Sequence, residues 1–266
     1  MAGEIGGMIR GDAQSLPWRT GSVQTIVTSP PYWGQRDYGV DGQIGMEPVY
    51  TEYLGVMRRA GEEMLRVLRP DGVLWLNLGD TFNTRAIIRP SSHQGGLGHD
   101  TESTRLSWAQ ARDMGLVRYS ARQPGMVDKD LMMLPWRVAL DFQALGFIFR
   151  CDIVWSKPYG VPENAPDRPS RTHEYVFMFS KETKYKFHKD EAPRSVWEIA
   201  PSRGGGDHGA VFPEELVERC VMASTDAGDI VADPFCGSGT TVHVANRLGR
   251  IGSGVDLKPV SGRSTR

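Results

Sequence analysis

The chain has 266 residues, enough for one large α/β domain, and its formal net charge of −1 does not indicate a polyanionic partner. Its apolar runs are far too short to span a bilayer, and its N-terminus lacks the basic and apolar regions of a secretory signal. Three widely separated cysteines argue against a disulfide framework and show no zinc-ligand spacing, so we expect no metal and a reducing cytoplasm.

Strands and helices alternate in the first eighty residues. Short strands are predicted in "GGMIRGDA", ending at Gly11-Asp12, and in "SVQTIVTS". Apolar residues recur at helical spacing from Tyr50 to Leu68, and "VLWLNLGD" is typical of a buried strand. The proline and glycine of Pro70-Asp71-Gly72 indicate a turn between them.

A polar stretch with weak periodicity follows, and we interpret residues 84–128 as an insertion or mobile loop. Residues 84–122 carry six arginines against three acidic residues, a local excess of three positive charges. The planar guanidinium group suits phosphates and base edges. A solvated loop is the alternative reading of each single arginine.

Regular elements resume in the second half of the chain. A helix is predicted around Pro135, ending at Gly146, followed by strands in "IFRCDIVWSK" and "EYVFMFSK" with "KYKFHK" as a hairpin partner. A second helix is expected in "FPEELVERCVMAST", with Pro213 at its first position. The segment "DIVADPFCGSGTTVHVANRLGRIGSGVDL" reads as strand, glycine-rich turn, helix and strand. This alternation predicts a mostly parallel sheet covered on both faces.

A proline-braced arm follows the second predicted strand, in "VTSPPYW" at residues 27–33. Proline lacks a backbone N–H and fixes its own φ, and it pushes the preceding residue towards extended conformations. Ser29-Pro30-Pro31 is therefore a stiff, extended segment with Tyr32 and Trp33 at its end. Such an arm suits gripping something flat and polar.

The glycine-rich unit near the end of the chain is the second informative motif. Gly237 and Gly239 allow a tight turn and the close approach of a ligand to the backbone. Asp256 ends the next strand, where an acid could hold ribose hydroxyls. Val242 occupies the place of the third glycine of a dinucleotide fingerprint, so the unit predicts a nucleoside-containing cofactor and disfavours a nicotinamide oxidoreductase.

These two motifs, in this order, resemble the amino-group DNA methyltransferases that use S-adenosylmethionine. The chain is similar to the circularly permuted group, in which the catalytic motif precedes the cofactor motif, and the resemblance includes "RVLRPDGVLWLNLGD", "FRCDIVWSKP" and "RPSRTHEYVFMFSK". It implies a Rossmann-like α/β methyltransferase fold in a single domain spanning residues 1–266. The implied sheet is seven-stranded and mostly parallel, with helices on both faces and one reversed strand.

The resemblance also implies a set of cofactor residues. Asp256 matches the ribose-binding acid, and Asp12 matches the acidic position near the adenine ring, although Asp12 could equally be a turn residue. Phe212 and Pro213 match the segment that covers the methionine moiety. The loop around the cofactor comprises Asp233, which could also cap the glycine turn, with Pro234, Phe235, Gly237, Gly239 and Thr240.

In this reading the arm is catalytic, with Ser29, Pro30, Pro31 and Tyr32 as its residues. An exocyclic amine is a poor nucleophile because its lone pair is conjugated with the ring. The oxygen of Ser29 and the carbonyl of Pro30 would accept hydrogen bonds from the amine and favour an unconjugated nitrogen. Tyr32 would stack on the target base, which must leave the duplex to be reached.

DNA contacts are assigned to residues near the arm and in the insertion. Trp33 either assists the base or packs in the core, and Arg36 follows directly. Within the insertion, Arg105, Arg112 and Arg118 are the candidates for phosphate contacts, and we expect the insertion to help read the DNA sequence. Double-stranded DNA is the expected partner, whereas the sequence does not decide on a homodimer or a cognate restriction endonuclease.

The target base and two rival functions stay open at this point. A serine in the first motif position is more typical of cytosine N4 methylation than of adenine N6 methylation, but a neutral hydroxyl can both donate and accept. A catalytically idle DNA-binding relative is one rival. A protein-glutamine or RNA methyltransferase is the other, and the motif order argues against it. After "GVDL" the amino-group DNA methyltransferases usually continue with a helix that packs on the sheet, whereas this chain ends "KPVSGRSTR". This departure from the family's pattern puts the cofactor affinity in doubt.

Overall fold

A computed structural model describes residues 6–35, 38–83, 123, 125–158, 165–202 and 213–258. Within them an eight-stranded sheet carries helices on both faces. The strands are β1 Gly7–Arg10, β2 Val23–Thr28, β3 Leu68–Leu78, β4 Ile148–Ser156, β5 His173–Ser180, β6 Val196–Glu198, β7 Ile230–Asp233 and β8 Ile251–Asp256. The helices are α1 Tyr50–Val67, α2 Leu134–Leu145, α3 Glu214–Ser224 and α4 Thr240–Arg247.

The strand order is β1-β8-β7-β2-β3-β5-β4-β6. Every neighbouring pair is parallel except the two pairs made by β5, which runs antiparallel to both β3 and β4. The mostly parallel α/β sheet with one reversed strand is therefore confirmed. No helix in the described segments is long and apolar enough to cross a bilayer.

Two apolar clusters hold the layers together, one on each face of the sheet. α1 and α2 cover one face with buried side chains such as Met57, Met64 and Phe142. α3 and α4 cover the other, where Val217 and Val244 pack against the sheet. Burial on both faces explains why β2 is apolar or hydroxyl-bearing along almost its whole length, since it has no solvent-facing side.

The sheet differs from the sequence prediction in its strand count and in one pairing. The eighth strand is β6, a three-residue edge strand that is too short to show periodicity; its Trp197 packs beside Trp75 with ring centroids 6.0 Å apart. The predicted hairpin partner "KYKFHK" is wrong, because residues 184–189 form no strand and β5 lies between β3 and β4.

The predicted turn at Pro70-Asp71-Gly72 is also wrong, because these residues lie inside β3. Val23 pairs with Leu68 and Thr25 pairs with Val73, so the register shifts by the extra residues between them. The segment is thus a bulge in the strand. By contrast, Gly146 does end α2, in the left-handed conformation with φ 108°.

The described ends of the predicted insertion are held close together. The side-chain Oδ1 of Asn83 accepts a hydrogen bond from the backbone of Gln123 at 2.8 Å. Phe82 forms an isolated antiparallel bridge with Leu131. The segment therefore leaves the fold and returns to it at nearly the same place, while residues 84–122 and 124 lie outside the described part.

Candidate active site

The proline arm and the glycine-rich turn leave neighbouring strands at the same edge of the sheet. β2 pairs in parallel with β7, with Thr25 opposite Val231. From there the chain diverges, because β2 leads through α1 to β3 on one side and β7 leads through α4 to β8 on the other. In open α/β sheets, ligands bind in the crevice beyond the carboxyl ends of strands at such a switch point.

The buried carboxylate of Asp233 ties the two motifs together. Thr28, at the end of β2, donates its hydroxyl to Oδ1 at 2.6 Å, and Thr241, in α4, donates to Oδ2 at 2.8 Å. The backbone N–H of Phe235 donates to Oδ1 at 3.0 Å and closes the turn. Asp233 therefore holds the arm, the turn and α4 in one arrangement.

Asp233 should also make the stability of the fold depend on pH. Burial raises the pKa of Asp233 from its ordinary 3.8 to about 6, against the effect of its three hydrogen-bond donors. Protonated Asp233 therefore contributes fully to the free energy of unfolding below its unfolded-state pKa. This contribution, about 3 kcal/mol, is lost as the pH rises through the folded-state pKa of about 6.

The Asp233→Asn variant tests this dependence, because its amide cannot ionise. Urea unfolding measures the free energy of unfolding of both proteins. The wild-type value minus the variant value should be about 2 kcal/mol larger near pH 4 than near pH 7. The contributions of all other titrating groups cancel in this comparison, because both proteins contain them. A loss of hydrogen bonds in the variant that does not depend on pH cancels as well. An equal stability difference at both pH values would contradict the raised pKa.

Two glycines shape the turn that follows β7. Gly237 has φ +48° and Gly239 has φ +85°, both in the region that favours glycine. A Cβ on Gly237 would meet nothing within 4 Å, so its backbone borders open space. The N–H of Gly237 donates to Oδ2 of Asp256 at 2.9 Å, which fixes the turn beside the end of β8.

The residues at this edge fit a cationic nucleoside cofactor. Oδ1 of Asp256 accepts the N–H of Lys258 at 2.8 Å, and its backbone carbonyl accepts the N–H of Gly11 at 2.9 Å. Asp12 thus lies next to Asp256, and its Oδ1 accepts the N–H of Gln14 at 2.9 Å, as a turn residue does. Carboxylates at the ends of neighbouring strands suit ribose hydroxyls and a positive charge, and the glycine turn leaves room for a ligand.

Three of the other predicted cofactor residues lie at the same turn. Pro234 and Phe235 follow β7, and Thr240 begins α4. Pro213 caps the N-terminus of α3 with extended backbone, one position before the predicted one. The predicted residues outside the described part are Phe212, Arg36, Arg105, Arg112 and Arg118.

The base of the proline arm is held by the core. Tyr53 of α1 donates its hydroxyl to the carbonyl of Pro31 at 3.2 Å. The indole N–H of Trp33 donates to the carbonyl of Glu47 at 2.9 Å, and the Trp33 residue is only 2% exposed. The structure therefore places Trp33 in the core, which favours packing over the predicted DNA contact.

Three residues that sequence reasoning missed lie under the arm. The hydroxyl of Tyr32 donates to Oε2 of Glu174 at 2.9 Å and lies 3.1 Å from Oδ1 of Asn77. The hydroxyl oxygen of Ser29 lies 3.3 Å from each of Tyr32 OH and Asn77 Oδ1, and Lys157 pairs with the Glu174 carboxylate. Asn77 lies in β3, Glu174 in β5 and Lys157 just after β4, so no local motif could have revealed the cluster.

The Tyr32 ring rests directly on the backbone of Gly79. A Cβ at Gly79 would lie 2.5 Å from Cε2 of Tyr32, so only glycine allows this approach. Burial, and then the charge of Glu174, raise the pKa of Tyr32 well above its ordinary value of 10. Tyr32 is therefore a neutral phenol that can donate a hydrogen bond.

A cavity of about 420 Å³ opens at the edge of the sheet where the arm lies, on the face opposite the Glu174 side chain. Trp136 and Tyr175 form part of its wall, and Tyr175 points to the face opposite Glu174 because side chains alternate along β5. Asp80, also in the wall, accepts the first N–H of α2, from Leu134, at 3.0 Å. This cap explains why α2 begins without a capping side chain of its own.

The cysteines and histidines offer no second chemistry in the described ranges. There, no group of three or more His, Cys, Asp or Glu side chains is placed to hold a metal ion. Cys236 is buried against Gly254, and burial raises the pKa of its thiol. A buried, protonated thiol packs and does not act as a nucleophile.

Fold and site together define an open α/β protein with a nucleoside-cofactor turn beside a proline-braced polar arm, the arrangement of an S-adenosylmethionine-dependent methyltransferase. A family model described as DNA methylase, N6_N4_Mtase, matches residues 23–261. The chain belongs to this N6/N4 DNA methylase family and is a DNA amino-methyltransferase that uses S-adenosylmethionine.

Relatives and solved structures agree with this assignment. Type II methyltransferase M.Cfr9I of Citrobacter freundii is 40% identical over 265 residues, covering 95% of this chain and 83% of the relative. Type II methyltransferase M.SmaI of Serratia marcescens is 38% identical, covering 87% and 79%. The structure of a putative DNA modification methylase from Thermus thermophilus, complexed with S-adenosyl-L-methionine, matches at TM-score 0.61 and 25% identity, over 95% of this chain and 88% of that one.

One further solved structure supports the fold alone. The PvuII DNA methyltransferase (cytosine-N4-specific) matches at TM-score 0.69, over 96% of this chain and 83% of that one. Its sequence identity of 21% is too low to carry its base specificity to this chain.

Proposed function

We propose that this chain methylates the exocyclic N4 amine of a cytosine flipped out of double-stranded DNA. The observation that supports methyl transfer at this site is the 2.6 Å hydrogen bond from Thr28 to Asp233. Thr28 immediately precedes Ser29, and Asp233 immediately precedes the glycine-rich turn. The bond therefore keeps the amine-binding arm next to the cofactor turn. The choice of cytosine over adenine is supported by Ser29, because a serine in the first motif position is more typical of cytosine N4 methylation.

The arm would act by orienting the amine. The cofactor supplies, when bound, an electrophilic methyl group on a sulfonium centre. Ser29 offers its hydroxyl oxygen, and among the described residues the carbonyl of Pro30 has no hydrogen-bond partner. Two acceptors on the amine hydrogens would turn its lone pair out of conjugation and towards the methyl group, which lowers the barrier by orientation and electrostatics. No protein nucleophile is needed.

Tyr32 would hold the flipped base. Its ring is half-buried on Gly79, and its hydroxyl is turned inward to Glu174, so the ring has a defined position. Stacking of a base on an aromatic ring contributes roughly 1–3 kcal/mol, comparable to the few kcal/mol that flipping costs. Asp12, Asp256 and the turn at Gly237–Gly239 would hold the cofactor, with Pro213 and Phe212 over its methionine part.

Identification of the product nucleoside tests the proposal. The protein would be incubated with labelled S-adenosylmethionine and mixed-sequence duplex DNA, which is then digested to nucleosides. We expect N4-methylcytosine from the wild type and almost none from Ser29→Ala. Detection of N6-methyladenine would overturn the base assignment. If no methylated nucleoside is formed, the chain is instead a catalytically idle DNA-binding relative.

The arginine-rich insertion is proposed to contact DNA phosphates. Replacing Arg105, Arg112 and Arg118 together by alanine should weaken DNA binding and reduce the slope of log K against log salt by up to about 3, with S-adenosylmethionine affinity unchanged. A control that removes equal charge away from the carboxyl edge of the sheet is Arg58, Arg150 and Arg219 to alanine. Equal DNA affinity and salt slope in the two triple variants would contradict the assignment.

One partner proposal follows from the type II names of the relatives. A cognate restriction endonuclease would make expression of the methyltransferase protect DNA from cleavage at the methylated site. The homodimer that the sequence leaves open would be measured directly by sedimentation of the free protein.

A further inference from the structure

We propose that Glu174 is a positioning residue that binds the proton of Tyr32 and so leaves Ser29 free to accept a hydrogen bond from the substrate amine. This inference rests on the proposed function. It addresses a point that the sequence leaves open, since a serine hydroxyl can either donate to or accept from a substrate. The direction of the hydrogen bonds around Ser29 is decided by side chains from β3, β5 and the end of β4.

The chain of hydrogen bonds begins at an ion pair. Lys157 contacts the carboxylate of Glu174, and the two side chains are 22% and 20% exposed. A carboxylate in an ion pair has no proton to donate and can only accept hydrogen bonds. Glu174 therefore offers Oε2 to the arm as an acceptor.

Tyr32 has one proton and two acceptors within reach. Oε2 of Glu174 lies at 2.9 Å and Oδ1 of Asn77 at 3.1 Å from its hydroxyl oxygen. The bond to the carboxylate is the shorter and is charge-assisted, so it takes the proton. The hydroxyl oxygen of Tyr32 is left as an acceptor towards Ser29.

Asn77 presents its oxygen to the same serine. Its Nδ2 donates to the backbone carbonyl of Tyr175 at 3.0 Å and lies 3.3 Å from Oε2 of Glu174. Both partners are acceptors, which fixes the orientation of the amide and directs Oδ1 towards Ser29. Both inward neighbours of Ser29, at 3.3 Å each, are therefore acceptors.

The consequence is a defined polarity at the reacting amine. The single proton of Ser29 is committed inward, and its lone pairs face outward to accept an N–H of the substrate. Loss of the Glu174 acceptor would release the Tyr32 proton towards Ser29 or Asn77. The proton of Ser29 would then turn outward, against the amine hydrogens.

Variant kinetics test the inference. Glu174→Gln keeps a single oxygen, which the Lys157 ammonium group would take as its acceptor, so that the amide NH2 faces Tyr32 and no longer accepts its proton. This variant should lower kcat by about ten- to a hundredfold, the range of a hydrogen bond to a charged group, with S-adenosylmethionine affinity unchanged.

Tyr32→Phe keeps the ring and removes the competing proton, so it should lower kcat only about threefold or less. The double variant should recover to the level of Tyr32→Phe, because Asn77 then receives the Ser29 proton alone. Glu182→Gln, an exposed position beyond the other end of β5, is the matched control.

Recovery of kcat when the Tyr32 hydroxyl is removed from Glu174→Gln would distinguish the positioning role of Glu174 from a purely structural role. If the double variant is as slow as Glu174→Gln or slower, the inference is overturned. Thermal melts would check that each variant folds, and Glu174→Ala with its own Tyr32→Phe partner replaces the glutamine pair if that pair does not fold. An inactive wild type would overturn the proposed function and this inference with it, whereas an active wild type whose double variant does not recover would overturn this inference alone.

Discussion

The Gly79→Ala variant is expected to lose about a hundredfold in methyl transfer while it binds S-adenosylmethionine normally. The added Cβ would lie 2.5 Å from Cε2 and 2.8 Å from Cδ2 of Tyr32, distances that real Cβ atoms do not show. The ring cannot move down, because its hydroxyl is bonded to Glu174 and Gly79 follows directly on β3. The ring must therefore move away from the Gly79 backbone. The aromatic surface proposed to stack on the flipped base then shifts by a sizeable part of an ångström.

A matched glycine-to-alanine change is available in α1. A Cβ on Gly55 would meet only the end of the Arg59 side chain, at 3.9 Å. Gly55→Ala should leave kcat unchanged and raise stability slightly, since alanine is favoured in a helix. Initial rates and S-adenosylmethionine titrations of both variants make the comparison. Full activity in Gly79→Ala would show that the position of the Tyr32 ring does not matter.

The Asp256→Ala variant should bind S-adenosylmethionine about a hundredfold more weakly. The change removes the acceptor of the Gly237 N–H at 2.9 Å and of the Lys258 N–H at 2.8 Å. It also removes the carboxylate proposed to hold the ribose. A hydrogen bond to a charged group is worth about 1.5–3 kcal/mol, so loss of the ribose contact alone accounts for a factor of about 10 to 100.

Calorimetric titration with the cofactor alone, without DNA, measures this effect directly. Asp190→Ala, which removes an exposed carboxylate far along the chain from the turn, serves as the control and should bind the cofactor normally. Equal affinity in the two variants would exclude Asp256 from the cofactor site. Duplex DNA binding by Asp256→Ala should be almost unaffected, since the arm and the insertion are not changed.

The sequence contained strong signals for the long, regular elements. Helix α1 and the glycine stop at Gly146 followed from periodicity and residue type, because a helix reports its buried face at a fixed local spacing. The predictions of short elements failed because such elements have too few residues to show a periodic pattern. Three residues at β6 cannot show a period, and the proline and glycine of 70–72 form a bulge only because β2 lies alongside.

The candidate site divides in the same way. Ser29, Tyr32, Gly237 and Asp256 stand in contiguous motifs whose stiffness or freedom is a property of the local backbone, so the sequence alone could single them out. Their proximity to one another follows from strand order, which places β2 beside β7. Asn77, Glu174 and Lys157 carry no local signal, since each is an ordinary polar residue in or next to a strand.

The sequence by itself therefore determined the α/β class, the proline-braced arm and the glycine turn, because these depend on interactions between residues close in the chain. Only the tertiary structure decided that Trp33 is buried, that Asp233 joins the arm to the turn, and that Glu174 lies beneath Tyr32. Those contacts join residues separated by up to 205 positions, and they arise from sheet pairing and from the burial of both faces of the sheet.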